Sequence, residues 1–193
     1  PERVQTLIAH MNPADLAGWI EQLSLEAQVR LIPTLEQAAL IFEFLPKTVQ
    51  AQIAEQLAPA DLLQLMSAMH SDDRTDLFKS LSPTLQPWIL AELAPEKRQQ
   101  IQQLAAYPEE SAGAIMSSDF VTLSPELTIQ QAIEQLRQVA ADRETLYLIY
   151  IVDALQHLLG VVSLRQIIQA APEVQLQHLM TTDLVMGQVD EDQ

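Results

Sequence analysis

The sequence predicts a mixed fold, in which an all-α domain of short stacked helices is followed by an α+β module with the element order β-α-β-β-α. Three observations predict it. The first half repeats a short unit that ends in Leu, the second half contains strand-like apolar runs, and the phrase "IMSSDFV" returns near the end of the chain as "LMTTDLV". The boundaries that we predict are residues 1–106 for the helical domain, 107–178 for the module and 179–193 for the start of a second, truncated module.

The units of the first half each predict one short helix. In "NPADLAGWIEQL" and "APADLLQLMSAM", Pro takes the first helical position, and Asp falls two residues later, beside the positive end of the helix dipole. A helix of about ten residues is marginal alone, so a row of them must bury its Leu, Ile and Met faces against neighbours in a superhelical array. We expect the aromatic residues of these helices to pack in the core or between helices, and not to stack on a ligand. They are Trp19, Phe42, Phe44, Phe78 and Trp88.

The second half changes to strands and capped helices after the "YPEE" that begins at Tyr107. Each of its two helices is predicted by a capping box, in which a Thr or Ser and the Gln three residues later hydrogen-bond reciprocally. The apolar run "LYLIYIV" predicts a buried strand, and "LLGVV" its hairpin partner. The predicted elements are a strand at Val121–Leu123, a helix from Thr128 to about Ala140, strands at Leu146–Val152 and Leu158–Val162, and a helix from Ser163 to about Ala170.

The repeated phrase predicts a second copy of the module. Met116 and Met180 are 64 residues apart, and an Asp follows three residues after each of them. This spacing is typical of tandem supersecondary units. One such unit leaves a face of its small sheet without a partner, so we expect the chain to be a piece of a longer protein, cut inside the second module.

Composition excludes several classes of function. Among 193 residues, 26 are acidic and 10 basic, and the net charge of −16 argues against nucleic acid and favours cations or basic partners, because phosphate affinity comes chiefly from clustered Lys and Arg. With no Cys, thiolate nucleophiles and thiolate zinc sites are excluded. There is no Gly-rich phosphate loop, no His beside a plausible nucleophile, and no apolar run near the roughly 18 residues of a membrane span. We therefore predict neither an enzyme nor a membrane span in this chain.

The motifs in order resemble one known family. A Leu-rich short-helix domain, then "YPEESAGAIM", "ETLYLIYIVD", "LLGVVSLRQII" and "HLMTTDLV", is similar to the cytosolic part of MgtE-type magnesium channels and transporters. The resemblance covers nearly the whole chain. It implies a right-handed superhelical N-terminal domain, a pair of cystathionine-β-synthase-like (CBS) modules, a plug helix and a transmembrane pore, working as a homodimer. This chain would lie on the cytoplasmic side of the membrane, and the second CBS module, plug helix and pore would be its partners.

The resemblance also implies a magnesium-dependent gate. Acidic faces on the helical domain and the CBS modules repel one another, and Mg²⁺, a hard cation that accepts one or two carboxylates, can bridge two such faces. In the family this compaction closes the pore when cytosolic magnesium is plentiful. The chain is thus expected to be a Mg²⁺ sensor that regulates transport.

The carboxylates most suited to this task lie in "SDDRTD". Asp72 and Asp76 are four residues apart and share one helix face, with Asp73 beside them, and they match family positions that bind regulatory magnesium. Glu43 is a further match. An alternative role for Asp72 or Asp73 is to cap the helix they begin. Weaker candidates on the CBS side are Glu109, Glu110, Asp142, Glu144 and Asp153.

Adenine nucleotides are the other ligand that CBS modules often bind. Tyr150 and Arg165 are the candidates for such a site. However, Gln166 stands where nucleotide-binding members usually carry an Asp, and Leu148 replaces an aromatic residue found in some MgtE members. Both departures disfavour ATP.

Two alternative functions remain open from the sequence. One is a CBS module that senses adenosine nucleotides in a soluble protein, and ATP binding without compaction would favour it. The other is a helical-repeat scaffold that binds another protein, because the Leu-rich repeat also resembles the middle region of flagellar motor-switch proteins. The scaffold predicts an exposed apolar groove along the repeat.

Overall fold

The structure is a computed structural model that describes residues 11–108, 111–139 and 146–191. The chain divides into two compact units, with the boundary between Met116 and Ser117. The first unit is helical and the second contains a small sheet, which confirms the predicted fold class. Within the described ranges, none of the helices combines the length and apolar character needed to span a membrane.

Short α-helices build the first unit, as the repeat predicts. Pro13 and Pro59 begin two of them, and the Asn12 side chain accepts a hydrogen bond from the Ala14 N–H at 2.9 Å. Pro is suited to this position because the first helical N–H has no partner within the helix. The helices are α1 Pro13–Glu21, α2 Leu25–Leu31 with a 3-10 turn at Ile32–Thr34, α3 Ala38–Glu43, α4 Lys47–Ala54, α5 Pro59–Ala68, α6 Ser71–Ser80, α7 Leu85–Glu92, α8 Pro95–Leu104 and α9 Ala112–Ile115.

One apolar core runs through the helical unit, and every helix from α1 to α8 packs against it. Phe42 is fully buried in this core, and Phe78 and Trp88 pack against it. Trp19 and Phe44 are 43% and 54% exposed, so a position in the core is wrong for these two residues. Trp19 lies on the outer face of α1 and Phe44 follows the last residue of α3, so neither points to the core side of its helix.

A recurrent hydrogen bond joins each of several helices to the end of the helix before it. A Gln or Arg in the first turn or two donates to backbone carbonyls five to eight residues earlier, where the last turn of the preceding helix leaves C=O groups without intrahelical partners. Four of these residues are separated by multiples of twelve positions. The donors are Gln28, Gln50, Arg74, Gln86 and Arg98.

A second recurrent contact caps helix N-termini. The Glu43 carboxylate accepts from the backbone N–H of His70 at 2.8 Å, and Glu55 accepts from that of Ser82 at 2.6 Å. In both cases the Glu lies 27 residues before its partner, with two helices between them along the chain. Side chains from other helices therefore satisfy end groups of several helices, whereas α1 and α2 also have local side-chain caps, at Asn12 and Ser24.

The second unit has the predicted order β-α-β-β-α. Its sheet has the strand order β1-β2-β3, with β1 parallel to β2 and β2 antiparallel to β3. It has its own apolar core, with contributions from all three strands and both helices. The elements are β1 Thr122–Leu123, α10 Ile129–Val139, β2 Leu148–Val152, β3 Leu158–Ser163 and α11 Leu164–Gln169, with a 3-10 turn at Leu176–His178.

Both predicted capping boxes are present. The Thr128 N–H donates to Gln131 Oε1 at 2.9 Å, and the Gln131 N–H donates to the Thr128 hydroxyl at 3.4 Å. Ser163 and Gln166 form the same reciprocal pair at the start of α11. These boxes place each helix against the sheet at a fixed starting residue.

The second copy of the repeated motif, "LMTTDLV" at residues 179–185, pairs with the edge of β3. Thr181 and Val161 exchange two backbone hydrogen bonds, of 2.9 and 3.0 Å, in an antiparallel bridge. This pairing needs a small residue next to Val161, because a Cβ at Gly160 would lie 2.8 Å from the Thr181 carbonyl oxygen and 3.1 Å from Met180 Cγ. Gly160 therefore permits the close approach of the two backbones.

We expect Gly160→Ala to destabilise the second unit by about 1–3 kcal/mol, because the added methyl group must push the Met180–Thr181 backbone away. Equilibrium urea unfolding measures this change. Gly18→Ala is the matched control: Gly18 is in the middle of α1 with nothing within 4 Å of the added atom, so the same substitution should stabilise by about 0.5–1 kcal/mol. Equal effects of the two substitutions would contradict the proposed role of Gly160.

Candidate functional site

A cleft in the helical unit is lined by the acidic residues that the sequence singled out. Asp72, Asp73 and Asp76 of α6 line it together with Lys47 and Gln50 of α4, and its volume is about 710 Å³. The structure therefore brings the three predicted aspartates to one concave surface. The remaining lining residues are Leu77, Lys79, Ser80, Ala114 and Ile115.

The start of α6 explains why these carboxylates lie together. The helix begins at Ser71, so Asp72 and Asp73 fall in its first turn and Asp76 one turn later. Negative charge is favourable there, near the positive end of the helix dipole. The N-cap residue is His70, so the alternative that Asp72 or Asp73 caps this helix is wrong. Their position inside the first turn leaves the carboxylates directed along the helix surface.

Lys47 neutralises part of the cleft. Its Nζ lies 2.6 Å from Asp73 Oδ1 and 3.4 Å from Asp76 Oδ2. Partial burial lowers the pKa of Lys47, but the hydrogen bond and charge of Asp73, together with Asp76, outweigh this effect and raise the pKa above its ordinary value. Lys47 is therefore a fixed cation held against two carboxylates. No sequence pattern indicated this ion pair, because 26 residues separate Lys47 from Asp73.

Glu43 is directed at His70 and away from solvent. Glu43 Oε2 lies 2.9 Å from His70 Nδ1, and the exposed fractions of the two side chains are 8% for Glu43 and 30% for His70. Burial raises the pKa of the Glu43 carboxyl above its ordinary value, although the hydrogen bonds and charge of His70 act in the opposite direction. One carboxylate oxygen of Asp73 completes a group of three potential ligand atoms, all within 4.8 Å of one another. The sequence placed Glu43 among the magnesium candidates but did not single out His70.

The nucleotide candidates of the second unit are not brought together by any described contact. Tyr150 packs edge-on against Phe120, with ring centroids 5.3 Å apart, and Arg165 is exposed on α11. Gln166 is occupied by its capping box and also donates to the Leu179 carbonyl at 3.4 Å. Leu148 is 46% exposed.

The weaker carboxylate candidates lie elsewhere. Glu109, Glu110, Asp142 and Glu144 lie outside the described residues. Asp153 holds the turn between β2 and β3, where its Oδ1 accepts from the N–H groups of Leu155 and His157 at 2.8 Å each. The backbone hydrogen bond from His157 is the main reason why the pKa of Asp153 is lowered. Asp153 therefore has a local structural role.

Comparison with known families matches both units. The model of the MgtE intracellular N domain matches residues 2–110, and that of the CBS domain matches residues 112–173. The fold and its acidic cleft thus define a chain with a short-helix repeat domain followed by a CBS domain. This chain belongs to the MgtE family.

Curated relatives and solved structures agree with this assignment. The magnesium transporters MgtE of Thermus thermophilus and Bacillus subtilis are 28% and 23% identical, each over 98% of this chain but only 43% and 42% of their own lengths. A crystal structure of the cytosolic domain of the Mg²⁺ channel MgtE in complex with ATP has a TM-score of 0.89 at 28% identity, over 97% of this chain and 78% of that chain. The soluble part of a magnesium transporter has a TM-score of 0.90 at 24% identity, over 99% of this chain and 76% of that one. The chain therefore spans less than half the length of the first two curated relatives.

Proposed function

We propose that this chain is the magnesium-sensing part of a magnesium channel or transporter and lies on the cytoplasmic side of the membrane. The observation that carries the proposal is the convergence of Asp72, Asp73 and Asp76 on one cleft of the helical unit. Membership of the MgtE family supports it, because the curated relatives are named magnesium transporters. Those names describe no enzyme.

The chemistry of the cleft suits Mg²⁺. The ion prefers oxygen ligands, keeps several of its waters and is commonly held by one or two carboxylates. Asp72 and Asp76 supply carboxylates one helical turn apart, and Asp73 lies beside them. Such a site binds the ion partly through water, which leaves coordination positions for carboxylates of a second surface.

The proposed mechanism is a change in repulsion between acidic surfaces. With a net charge of −16, acidic surfaces of this chain and of its proposed partner modules repel one another over about 10 Å, the screening length at 0.1 M salt. Mg²⁺ bridging two such surfaces compacts the domains and closes the pore of the homodimer. By thermodynamic linkage, closure raises the affinity for Mg²⁺ by the same factor as Mg²⁺ favours closure.

We expect the chain to bind Mg²⁺ saturably in isothermal titration calorimetry. Small-angle X-ray scattering over the same titration should show a decrease in radius of gyration, because bound Mg²⁺ removes repulsion between acidic surfaces. The double variant Asp72→Asn/Asp76→Asn should lose most of the affinity and of the compaction. No saturable binding up to millimolar Mg²⁺ would contradict the proposal.

A matched control separates a site from a general charge effect. Asp15 and Asp61 also lie in the first turns of helices, α1 and α5, outside the cleft. Asp15→Asn/Asp61→Asn changes the net charge by the same amount as Asp72→Asn/Asp76→Asn. If both double variants weaken Mg²⁺ binding equally, the ion responds to overall charge and the cleft is not the site.

ATP is a second candidate ligand because one similar structure, a Mg²⁺ channel cytosolic domain, is a complex with ATP. In this chain, however, the Gln166 side chain already forms hydrogen bonds within its capping box and donates to the Leu179 carbonyl. We therefore propose that Mg²⁺ alone drives compaction. A titration with ATP in the absence and presence of Mg²⁺ tests this, and tight ATP binding without compaction would favour a nucleotide-sensing CBS module.

A further inference from the structure

A second kind of cation site is built from the side chains of Glu43, His70 and Asp73. These three residues offer an imidazole nitrogen and two carboxylate oxygens within 4.8 Å of one another. Glu43 ends α3, His70 immediately precedes α6 and Asp73 lies in its first turn. The group therefore joins two helices that are far apart in sequence.

The ligand set differs from a magnesium site by its imidazole. Mg²⁺ favours oxygen ligands, whereas imidazole nitrogen suits first-row transition ions such as Fe²⁺, Co²⁺, Ni²⁺ and Zn²⁺. The two carboxylates also supply negative charge that offsets the positive end of the α6 dipole. The chemistry of these donors selects a borderline divalent ion over a hard one.

One pair of donors, from Glu43 and His70, has the spacing of neighbouring octahedral positions. Glu43 Oε2 and His70 Nδ1 are 2.9 Å apart, and two donors at this separation subtend about 90° at an ion that is ~2.05 Å from each. That angle is the one between neighbouring positions of an octahedron. An ion there displaces the proton shared by the two atoms, and the imidazole keeps its other proton on Nε2.

The surrounding protein holds these donors in place. The Glu43 side chain is only 8% exposed, and its Oε1 accepts from the His70 N–H at 2.8 Å. Asp73 has two carboxylate oxygens, so it can keep Lys47 on Oδ1 and offer the other. Preorganised donors lose little conformational entropy on binding.

The buried side-chain amide of Gln50 is a further observation near the three donors, because its oxygen makes no hydrogen bond among the described residues. Gln50 is 0% exposed and lines the same cleft as Asp73. Its Nε2 donates to the Glu43 carbonyl at 3.2 Å, whereas its Oε1 is buried without a hydrogen-bond partner among the described residues. Buried acceptors without partners are rare in folded proteins.

We propose that Glu43, His70 and Asp73 form a three-ligand site for a divalent first-row transition ion, with water at the remaining positions. This site shares Asp73 with the proposed magnesium site but uses neither Asp72 nor Asp76. A bound ion would tie the end of α3 to the start of α6.

Co²⁺ is the probe that tests the site, because its visible absorption reports on its ligands. Titration of the tag-free chain with Co²⁺ should show saturable binding of one ion, tighter than that of Mg²⁺. His70→Gln should weaken Co²⁺ binding by at least ~10–100-fold, the loss that follows even when an outer partner of a metal ligand is removed. Asp72→Asn/Asp76→Asn should leave Co²⁺ binding in place, so this test and the magnesium test can fail separately.

The control is the other described His–carboxylate pair. His157 Nδ1 lies 3.0 Å from Asp153 Oδ2, and His157→Gln should leave Co²⁺ affinity unchanged. X-ray absorption spectroscopy of the Co²⁺-loaded wild-type chain needs no variant to fold and should show imidazole in the coordination shell. Absence of saturable Co²⁺ binding, equal affinity of His70→Gln and wild type, or a shell without imidazole would each overturn the proposal.

Discussion

Gln50→Leu should lower the free energy of unfolding of the helical unit by about 2–4 kcal/mol, because it leaves buried carbonyl groups without a hydrogen-bond donor. Gln50 is fully buried and its Nε2 donates to the carbonyls of Phe42, Glu43 and Leu45 at 2.9, 3.2 and 2.9 Å. The Phe42 carbonyl also accepts from the Leu45 N–H at 3.0 Å. The carbonyls of Glu43 and Leu45, at and just after the end of α3, have no other donor among the described residues and would lose theirs. Leu has a similar volume, so the expected loss comes from the missing donor.

Gln52→Leu is the matched control for this prediction. Gln52 lies on the same helix, α4, but is exposed, and a surface substitution of this kind changes stability by less than about 0.5 kcal/mol. Equilibrium urea unfolding followed by circular dichroism measures both variants. Similar midpoints for Gln50→Leu and wild type would show that Gln50 does not cap α3 in solution.

Lys47→Met should tighten Mg²⁺ binding about tenfold, because an ion in the cleft no longer competes with a fixed ammonium group for the carboxylates. Lys47 lies 2.6 Å from Asp73 and 3.4 Å from Asp76. These side chains are between 28% and 53% exposed, so solvent screens the contact and the effect is well below that of a buried pair. In the proposed sensor, Lys47 thus raises the magnesium concentration at which the cleft fills. Isothermal titration calorimetry measures the change.

Lys79→Met removes the same charge from the same cleft. Lys79 lines the cleft but forms no ion pair within the part of the chain that the structure describes, so the control should change Mg²⁺ affinity by less than about threefold. A wild-type affinity in Lys47→Met, or equal gains in both variants, would show that Lys47 does not compete for the site.

The fold was predictable where its signals are local. The Thr128/Gln131 and Ser163/Gln166 boxes join residues only three apart, and the strand order follows from short apolar runs along the chain. The buried faces of the short helices were less predictable. Trp19 and Phe44 are as apolar as Phe42, yet they are exposed, because the neighbouring helices decide which face of a two-turn helix is covered.

The candidate site was predictable in part for the same reason. Asp72, Asp73 and Asp76 lie within one helix, so their spacing alone predicts a shared surface. The contacts of Lys47 with Asp73 and of Glu43 with His70 join residues 26 and 27 positions apart along the chain, and only the packing of α3, α4 and α6 brings them together. Glu43 has a role that no sequence pattern indicated, as the acceptor for the first N–H group before α6.

The two recurrent contacts between helices make the stability of one helix depend on the helix that supplies the contact. Gln50 serves the helix before its own, and Glu43 serves a helix further along the chain, so the end of α3 loses a donor if α4 opens and the start of α6 loses an acceptor if α3 opens. Opening therefore proceeds inward from the ends of the array, and a middle helix opens only with its neighbours, as nearest-neighbour coupling in repeat proteins requires. Because α6 stands inside the array, the acidic cleft belongs to the most cooperative part of the unit and keeps its shape while the outer helices fray.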